Sequence, residues 1–307
     1  MATLLFTHPS GIAHDPGPGH PERSDRLRAV LQALDAPMFK SLQRREAPEA
    51  TRAQIERVHA AKYVAFVLKN VPTDGYAAID GDTVMSPASG EAALRAAGAL
   101  TAAVDAVVGG EAQTAFCAVR PPGHHAEPAR GMGFCFFNNI AIAARHARAT
   151  GLNRVGIVDF DVHHGNGTQA TFWEDGSVFF ASSHQYPLYP GTGAADERGV
   201  GNIVNLPLRP GSAGAQFRAG WEREILPALD SFKPELVLIS AGFDAHTRDP
   251  LANLELTEDD FAWVTARLRE IAAKHAGGRM VSTLEGGYDL QALAGSAAAH
   301  VTELMAG

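Results

Sequence analysis

Cysteine is nearly missing from this 307-residue chain, which has only Cys117 and Cys135. Both lie beside aromatic or apolar residues and form no CxxC pair, so a disulfide framework is excluded and a reducing compartment is expected. Positive charge is short as well. Lys and Arg total 26 against 34 Asp and Glu, a formal net charge of −8 with no basic run, which argues against a nucleic-acid partner. No stretch approaches the ~18 apolar residues that a spanning helix needs. The opening MATLLFTHPSG lacks a basic segment, and its apolar part is too short for a secretory signal, so a cytoplasmic protein without a membrane partner is expected. Internal repeats, low-complexity tails and long Pro/Ser/Gly linkers are also lacking. What remains, 46% hydrophobic and 20% charged, is ordinary globular composition. The length is ample to bury a core without staples, and we expect one domain over residues 1–307.

Short apolar runs alternate with longer amphipathic ones. Strand-like runs occupy 3–8, 114–119, 154–160, 177–183, 202–208, 235–240 and 279–287; helical spacing marks 20–34, 89–108, 138–150, 215–232 and 257–276. Thr257 with Asp260 three residues later signposts a helix start, and SGEA before Ala92 reads the same way. The strand runs are apolar throughout rather than alternating, which implies burial on both faces. Strand–helix alternation then predicts an α/β fold with a parallel sheet covered on both sides, its ligand crevice beyond the carboxyl ends of the strands.

Five of those ends carry chemistry. After the apolar runs come RPPGHHAEPARGMGFCFFNN, DFDVHHGNGT, HQYPLYPGTG, AGFDAH and EGGYDL, each placing His, Asp or Tyr among glycines. In an extended chain Asp159, Asp161 and His163 share a face. Asp244, at another strand end, is the best further metal ligand, leaving one position for water. Two carboxylates and one imidazole suit zinc, whereas a non-haem iron triad more often has two His and one carboxylate. The bland alternative is that these aspartates merely cap turns. His124 and His125 stand on a Pro-Pro-Gly loop, where two imidazoles with different partners could divide general-base and general-acid work. Asp159 could orient one of them. Tyr288 could donate a hydrogen bond to a developing oxyanion, and Gly286 and Gly287 would let the backbone approach a ligand closely. Phe134 and Tyr189 could wall an apolar slot or equally be core aromatics. His59, His146, His275 and His300 fall in helical stretches and read as ordinary.

RPPGHHA, VDFDVHHGNGT, SAGFDAH and EGGYDL, together with HPERSDRL and YPGTG, occur in the order found in the histone deacetylase family of the arginase/deacetylase superfamily, and the chain resembles its class II branch over nearly its whole length. The resemblance implies a three-layer α/β/α domain around an eight-stranded, mainly parallel sheet, and zinc-dependent deacetylation. It implies that Asp161, His163 and Asp244 hold zinc, that Asp159 bonds His124, and that Tyr288 polarises the acetyl carbonyl. Phe134, flanked by Gly133, would line the acyl-lysine tunnel opposite Tyr189. A structural potassium ion would sit on backbone oxygens of Asp159, Asp161 and His163 with Ser182 and Ser183 nearby. Arg26 would line an internal cavity behind the zinc. Asp82 would match the rim aspartate that holds the substrate backbone, with Asp80 as competitor. Asn166 stands where class I members carry an aspartate, and this neutral partner should leave His125 less basic.

The expected activity is therefore hydrolysis of an acetyl or similar short acyl amide of lysine in a peptide. Acetylated polyamines are the nearest alternative, although the short stretch between HAAKYVAF and GEAALRAA suggests an open mouth that favours peptides. Two-metal ureohydrolase chemistry would need a second set of ligands that the sequence does not offer. A catalytically silent acyl-lysine binder is disfavoured by the intact Tyr288 and histidine pair. The sequence is compatible with a homo-oligomer and does not require one.

Overall fold

The computed structural model describes residues 2–306, so of the expected 1–307 span Met1 and Gly307 lie outside the described residues. Its strands are β1 (Thr3–Thr7), β2 (Gln43–Glu46), β3 (Ala77–Ala78), β4 (Val84–Met85), β5 (Thr114–Cys117), β6 (Val155–Asp159), β7 (Val178–Gln185), β8 (Ile203–Leu208), β9 (Leu236–Ala241) and β10 (Met280–Leu284). Eight of them form one sheet in the order β2-β1-β5-β10-β9-β6-β7-β8, and all its pairings are parallel. β3 and β4 make a separate antiparallel pair.

Successive side chains of a strand point to opposite faces. In β9, Leu236 and Leu238 enter one apolar cluster while Val237 and Ile239 enter the other. The continuous apolar runs are thus explained by two dry faces. Helices Ser89–Val108 and Asn139–Ala149 cover one face; Ser24–Ala33, Glu258–His275 and Leu290–Met305 cover the other. The result is the three-layer α/β/α arrangement. Both cysteines are buried and free.

Several local expectations need correction. β2, with the sequence Gln-Arg-Arg-Glu, is exposed along its whole length and has no apolar signature; it is a strand because its backbone pairs with β1 at the sheet edge. The predicted helix 215–232 is present from Gly214 to Phe232, but it is not α-helical throughout: a π turn at Trp221–Ile225 interrupts the regular winding. Pro227 has no N–H to donate and its ring crowds the preceding turn, which accounts for the wider turn just before it. Asp260 does accept from Thr257 N–H at 3.0 Å. Ser89, by contrast, caps nothing, since the residue at the cap is Ala88; its Oγ accepts from Ser86 N–H at 2.7 Å and meets His14 Nδ1.

His59 is not helical either. It lies in the turn after helix Arg52–Ile55, where Nε2 accepts from Asn138 N–H at 2.8 Å and Nδ1–H donates to the Glu127 carbonyl at 3.0 Å. Burial, outweighing the pull of the Glu127 and Pro128 backbone, holds His59 down to about 4, and burial holds His300 down to about 3. Both folded values lie below the ~6.5 of an unfolded histidine, so the associated stability is complete above that pH and drains away as the pH falls toward the folded values. We expect a lower urea midpoint at pH 5 than at pH 7, with a smaller difference in His300→Gln. A midpoint that does not move over this interval would contradict the assignment.

Candidate active site

The loops following β5, β6, β9 and β10 meet at the carboxyl edge of the sheet. β6 stops at Asp159, so Asp161 and His163 lie beyond the strand and strand alternation is not what aligns them. Side chains accepting from nearby backbone do this instead, as short aspartates do in turns. Asp159 Oδ1 accepts from Asp161 N–H at 3.0 Å, and Asp161 Oδ1 from His163 N–H at 2.9 Å. Asp244 Oδ1, arriving from the end of β9, accepts from Val162 N–H at 2.9 Å.

These turns gather Asp161, His163 and Asp244 so that one donor atom from each lies within 4.8 Å of the others. His163 Nδ1 is 3.1 Å from both Asp161 Oδ1 and Asp244 Oδ2. Burial opposes a charge on this imidazole, but the bonds to the two carboxylates prevail and raise it to about 10. That hold on a proton marks a demand for positive charge between two buried carboxylates, which a divalent cation bound by the deprotonated imidazole and the carboxylates would satisfy instead. Gly286 completes the cradle: its N–H donates to Asp161 Oδ2 at 2.8 Å, and a Cβ there would run into the carboxylates of both Asp161 and Asp244. Among the described residues Asp161, His163 and Asp244 form the one such cluster of His, Cys, Asp or Glu side chains.

The tandem histidines have different partners. His124 Nδ1–H donates to Asp159 Oδ2 at 2.9 Å, and His125 Nδ1–H donates to Asn166 Oδ1 at 2.8 Å. Both imidazoles are buried. For His124, burial is overcome by Asp159 and Asp161, and its affinity for a proton rises to about 10. For His125 burial acts in the same direction as its cationic neighbours His124 and His163, and it is pushed well below the usual range. The pair is therefore split into a proton-holding member and a proton-free member. Asn166 slightly raises His125, so the low basicity expected from a neutral partner has burial as its main cause.

Tyr288 is held from several sides. Its N–H donates to Asp249 Oδ2 at 2.7 Å, and the Arg26 guanidinium stacks 4.8 Å from its ring centre. Burial, opposed by Arg26 but reinforced by Asp244 and Asp161, keeps the phenol well above 10, so it remains an O–H donor near neutral pH. Arg26 bonds Glu22 Oε1 at 2.9 Å, the Gly287 carbonyl at 2.6 Å and the Glu285 carbonyl. Glu22 in turn pairs with buried Arg120. Gly287, at φ 122°, serves this packing: a Cβ would press on Leu293 and Phe243, so its role is structural where ligand approach was expected.

His124, His125, His163, Tyr288, Gly286, Gly133, Phe134, Tyr189 and Asp82 share one narrow pocket of about 100 Å³. Phe134 takes a left-handed φ of 69°, a strained choice for an aromatic residue, and its N–H donates to Thr83 Oγ1 at 3.1 Å. Its ring stands edge-on to Tyr288 at 6.1 Å, while Tyr189 stands edge-on to His125 at 5.2 Å. Asp82 spends one oxygen inside the rim, accepting from Gly133 N–H at 3.2 Å and from Thr83 O–H. Asp80 is paired with Arg130 at 2.8 Å. Ser182 pairs with Asp159 across β6 and β7, and Ser183 Oγ is buried without a hydrogen-bond partner among the described residues.

Sequence reasoning missed Glu285, Glu127 and Asp249. Glu285 Oε2 accepts from Gly123 N–H at 2.7 Å and His124 N–H at 3.3 Å, while Oε1 takes the Ser240 hydroxyl at 3.0 Å. It therefore sets the loop carrying the tandem histidines. Burial, partly offset by His124, raises it to about 7. The available signal was position alone: Glu285 opens EGGYDL and Glu127 closes GHHAE.

Residues 20–304 match the model of the histone deacetylase domain. A histone deacetylase-like amidohydrolase from Pseudomonas aeruginosa is 42% identical over 277 residues, covering 88% of this chain and 73% of that protein. A probable deacetylase from Archaeoglobus fulgidus is 39% identical over 298 residues, covering 95% and 82%. The crystal structure of the HDA15 HD domain superposes with a TM-score of 0.94 at 35% identity, covering 99% of this chain and 88% of that one. With the fold and the sequence in agreement over this span, the chain belongs to the histone deacetylase family of deacetylases and amidohydrolases.

Proposed function

We propose that the chain is a single catalytic domain that uses zinc to remove acetyl, or a similarly short acyl group, from the amine of acyl-lysine in a peptide. The observation that carries this reading is convergence: the Asp161–His163–Asp244 set, two histidines of opposite proton affinity and a neutral phenol all border one narrow pocket. Asp161, His163 and Asp244 would hold the zinc, which when bound supplies a Lewis acid that acidifies water and polarises the acyl oxygen. His125 Nε2, free of a proton, accepts one from the attacking water. Tyr288 O–H donates to the oxygen that gains charge as the amide carbon becomes tetrahedral. His124, held protonated against Asp159, gives its proton to the departing amine. Phe134 and Tyr189 admit a slender chain. A structural potassium ion beside Asp159, Asp161, His163, Ser182 and Ser183 belongs to the same proposal, and the unpartnered Ser183 hydroxyl fits it. No helix among the described residues is long and apolar enough to cross a membrane; a cytoplasmic location belongs to the same proposal.

The test is acetate release from an acetyl-lysine peptide by zinc-loaded protein beside a chelated control. We expect release that chelation abolishes and zinc restores. No release from folded, zinc-loaded protein would overturn the peptide reading, and N-acetylated polyamines would be assayed next. If those also failed, the silent acyl-lysine binder would lead.

A further inference from the structure

His125 Nδ1 faces an amide, and an amide can present either its oxygen or its NH₂ group. The other side of Asn166 decides which. Its Nδ2 lies 2.9 Å from Glu127 Oε1 and 3.5 Å from Met132 Sδ. An ionised carboxylate can only accept, and a thioether is at most a weak acceptor. Both outward neighbours therefore require the NH₂ group, which turns Oδ1 toward His125. An oxygen there requires a proton on Nδ1, so the neutral imidazole keeps its lone pair on Nε2. Glu127 is itself firmly placed. Its N–H donates to the Arg130 carbonyl at 2.8 Å, and its own carbonyl accepts from Arg130 N–H at 3.3 Å and from His59 Nδ1–H at 3.0 Å. Its side chain borders a solvent-facing cleft of about 790 Å³ that also reaches Asn166, Gln169 and Thr171.

We propose that Glu127 is a positioning residue: by accepting from Asn166 it locks the amide in the orientation that holds His125 in the Nδ1–H tautomer and leaves Nε2 free to take a proton. The proposal rests on the reading of His125 as the base. Without Glu127 only the weak acceptor Met132 Sδ still favours the NH₂ group on the outward side. A cationic side chain in its place would demand Oδ1 instead, so that Nδ2 faced His125 and the imidazole proton moved to Nε2.

The experiment compares zinc-loaded wild type with Glu127→Gln, Glu127→Ala and Glu127→Lys. Deacetylation kinetics are read beside the ¹⁵N spectrum of labelled histidine, with the His125 signals assigned by loss in His125→Ala. Glutamine can still offer an oxygen to Asn166, so Glu127→Gln should preserve the Nδ1–H pattern and most of kcat. Glu127→Lys should shift His125 to the Nε2–H pattern and lower kcat by about 10–100-fold, the range typical for outer partners of metal sites, with KM little changed. Glu127→Ala should fall between them. The proposal is overturned if His125 stays Nδ1–H in Glu127→Lys, or if glutamine and lysine lower kcat equally. The tautomer readout does not need turnover, so failure of the deacetylase reading and failure of the Glu127 proposal are distinguishable.

Discussion

Asp161→Ala is expected to fold, to lose stoichiometric zinc and to release no measurable acetate. The carboxylate makes more than one contribution to the site. Oδ1 accepts from His163 N–H, Oδ2 accepts from Gly286 N–H, and the group supplies one of the two negative charges facing His163 Nδ1. Truncation removes a metal ligand and releases the backbone that presents another, so His163 and Asp244 remain as two donors where a catalytic zinc has three. Asp161→Asn separates these contributions in part, because it removes the charge and keeps an oxygen for one of the two backbone bonds; it should bind zinc more weakly than wild type yet better than alanine. Metal analysis of the purified variants, with circular dichroism as the check on folding, measures this directly. One zinc per chain in Asp161→Ala would remove Asp161 from the ligand set.

Tyr288→Phe is expected to keep its zinc and lose turnover. The ring can stay where it is, edge-on to Phe134 and stacked beneath Arg26, since neither contact uses the hydroxyl. The backbone bond to Asp249 is likewise untouched. What disappears is a neutral O–H donor in a buried site, and loss of one oxyanion donor typically lowers kcat by about 10²–10³-fold. Because the hydrogen bond strengthens as charge develops on the oxygen, the loss should fall on kcat far more than on KM. Turnover within a few-fold of wild type, in protein shown to carry zinc, would take the oxyanion role away from Tyr288.

The sequence could be read as far as its signals were local. Apolar runs without alternation announced a sheet buried on both faces, because that burial is written in each strand separately. Asp159, Asp161, His163, Asp244, His124, His125 and Tyr288 were legible as candidate site residues because each lies at the end of a strand or in the loop that follows it, and in a parallel sheet all such ends share one edge. The tertiary structure decided what no local window contains. β2 has no strand signature of its own and exists through its pairing with β1. Glu285 reaches across 162 positions to hold the backbone of the histidine loop, and Glu22 across 98 to pair with Arg120. Glu127 acquires its meaning only when Asn166, 39 positions away, turns its amide outward. Gly286 and Gly287 look equivalent in sequence, yet one cradles two carboxylates and the other makes room for Leu293. Sequence therefore determined which residues could do chemistry and at which edge they would stand. Their charge states, tautomers and supports depend on partners brought close by folding, and the physical reason is that burial and hydrogen bonding act through distance in space.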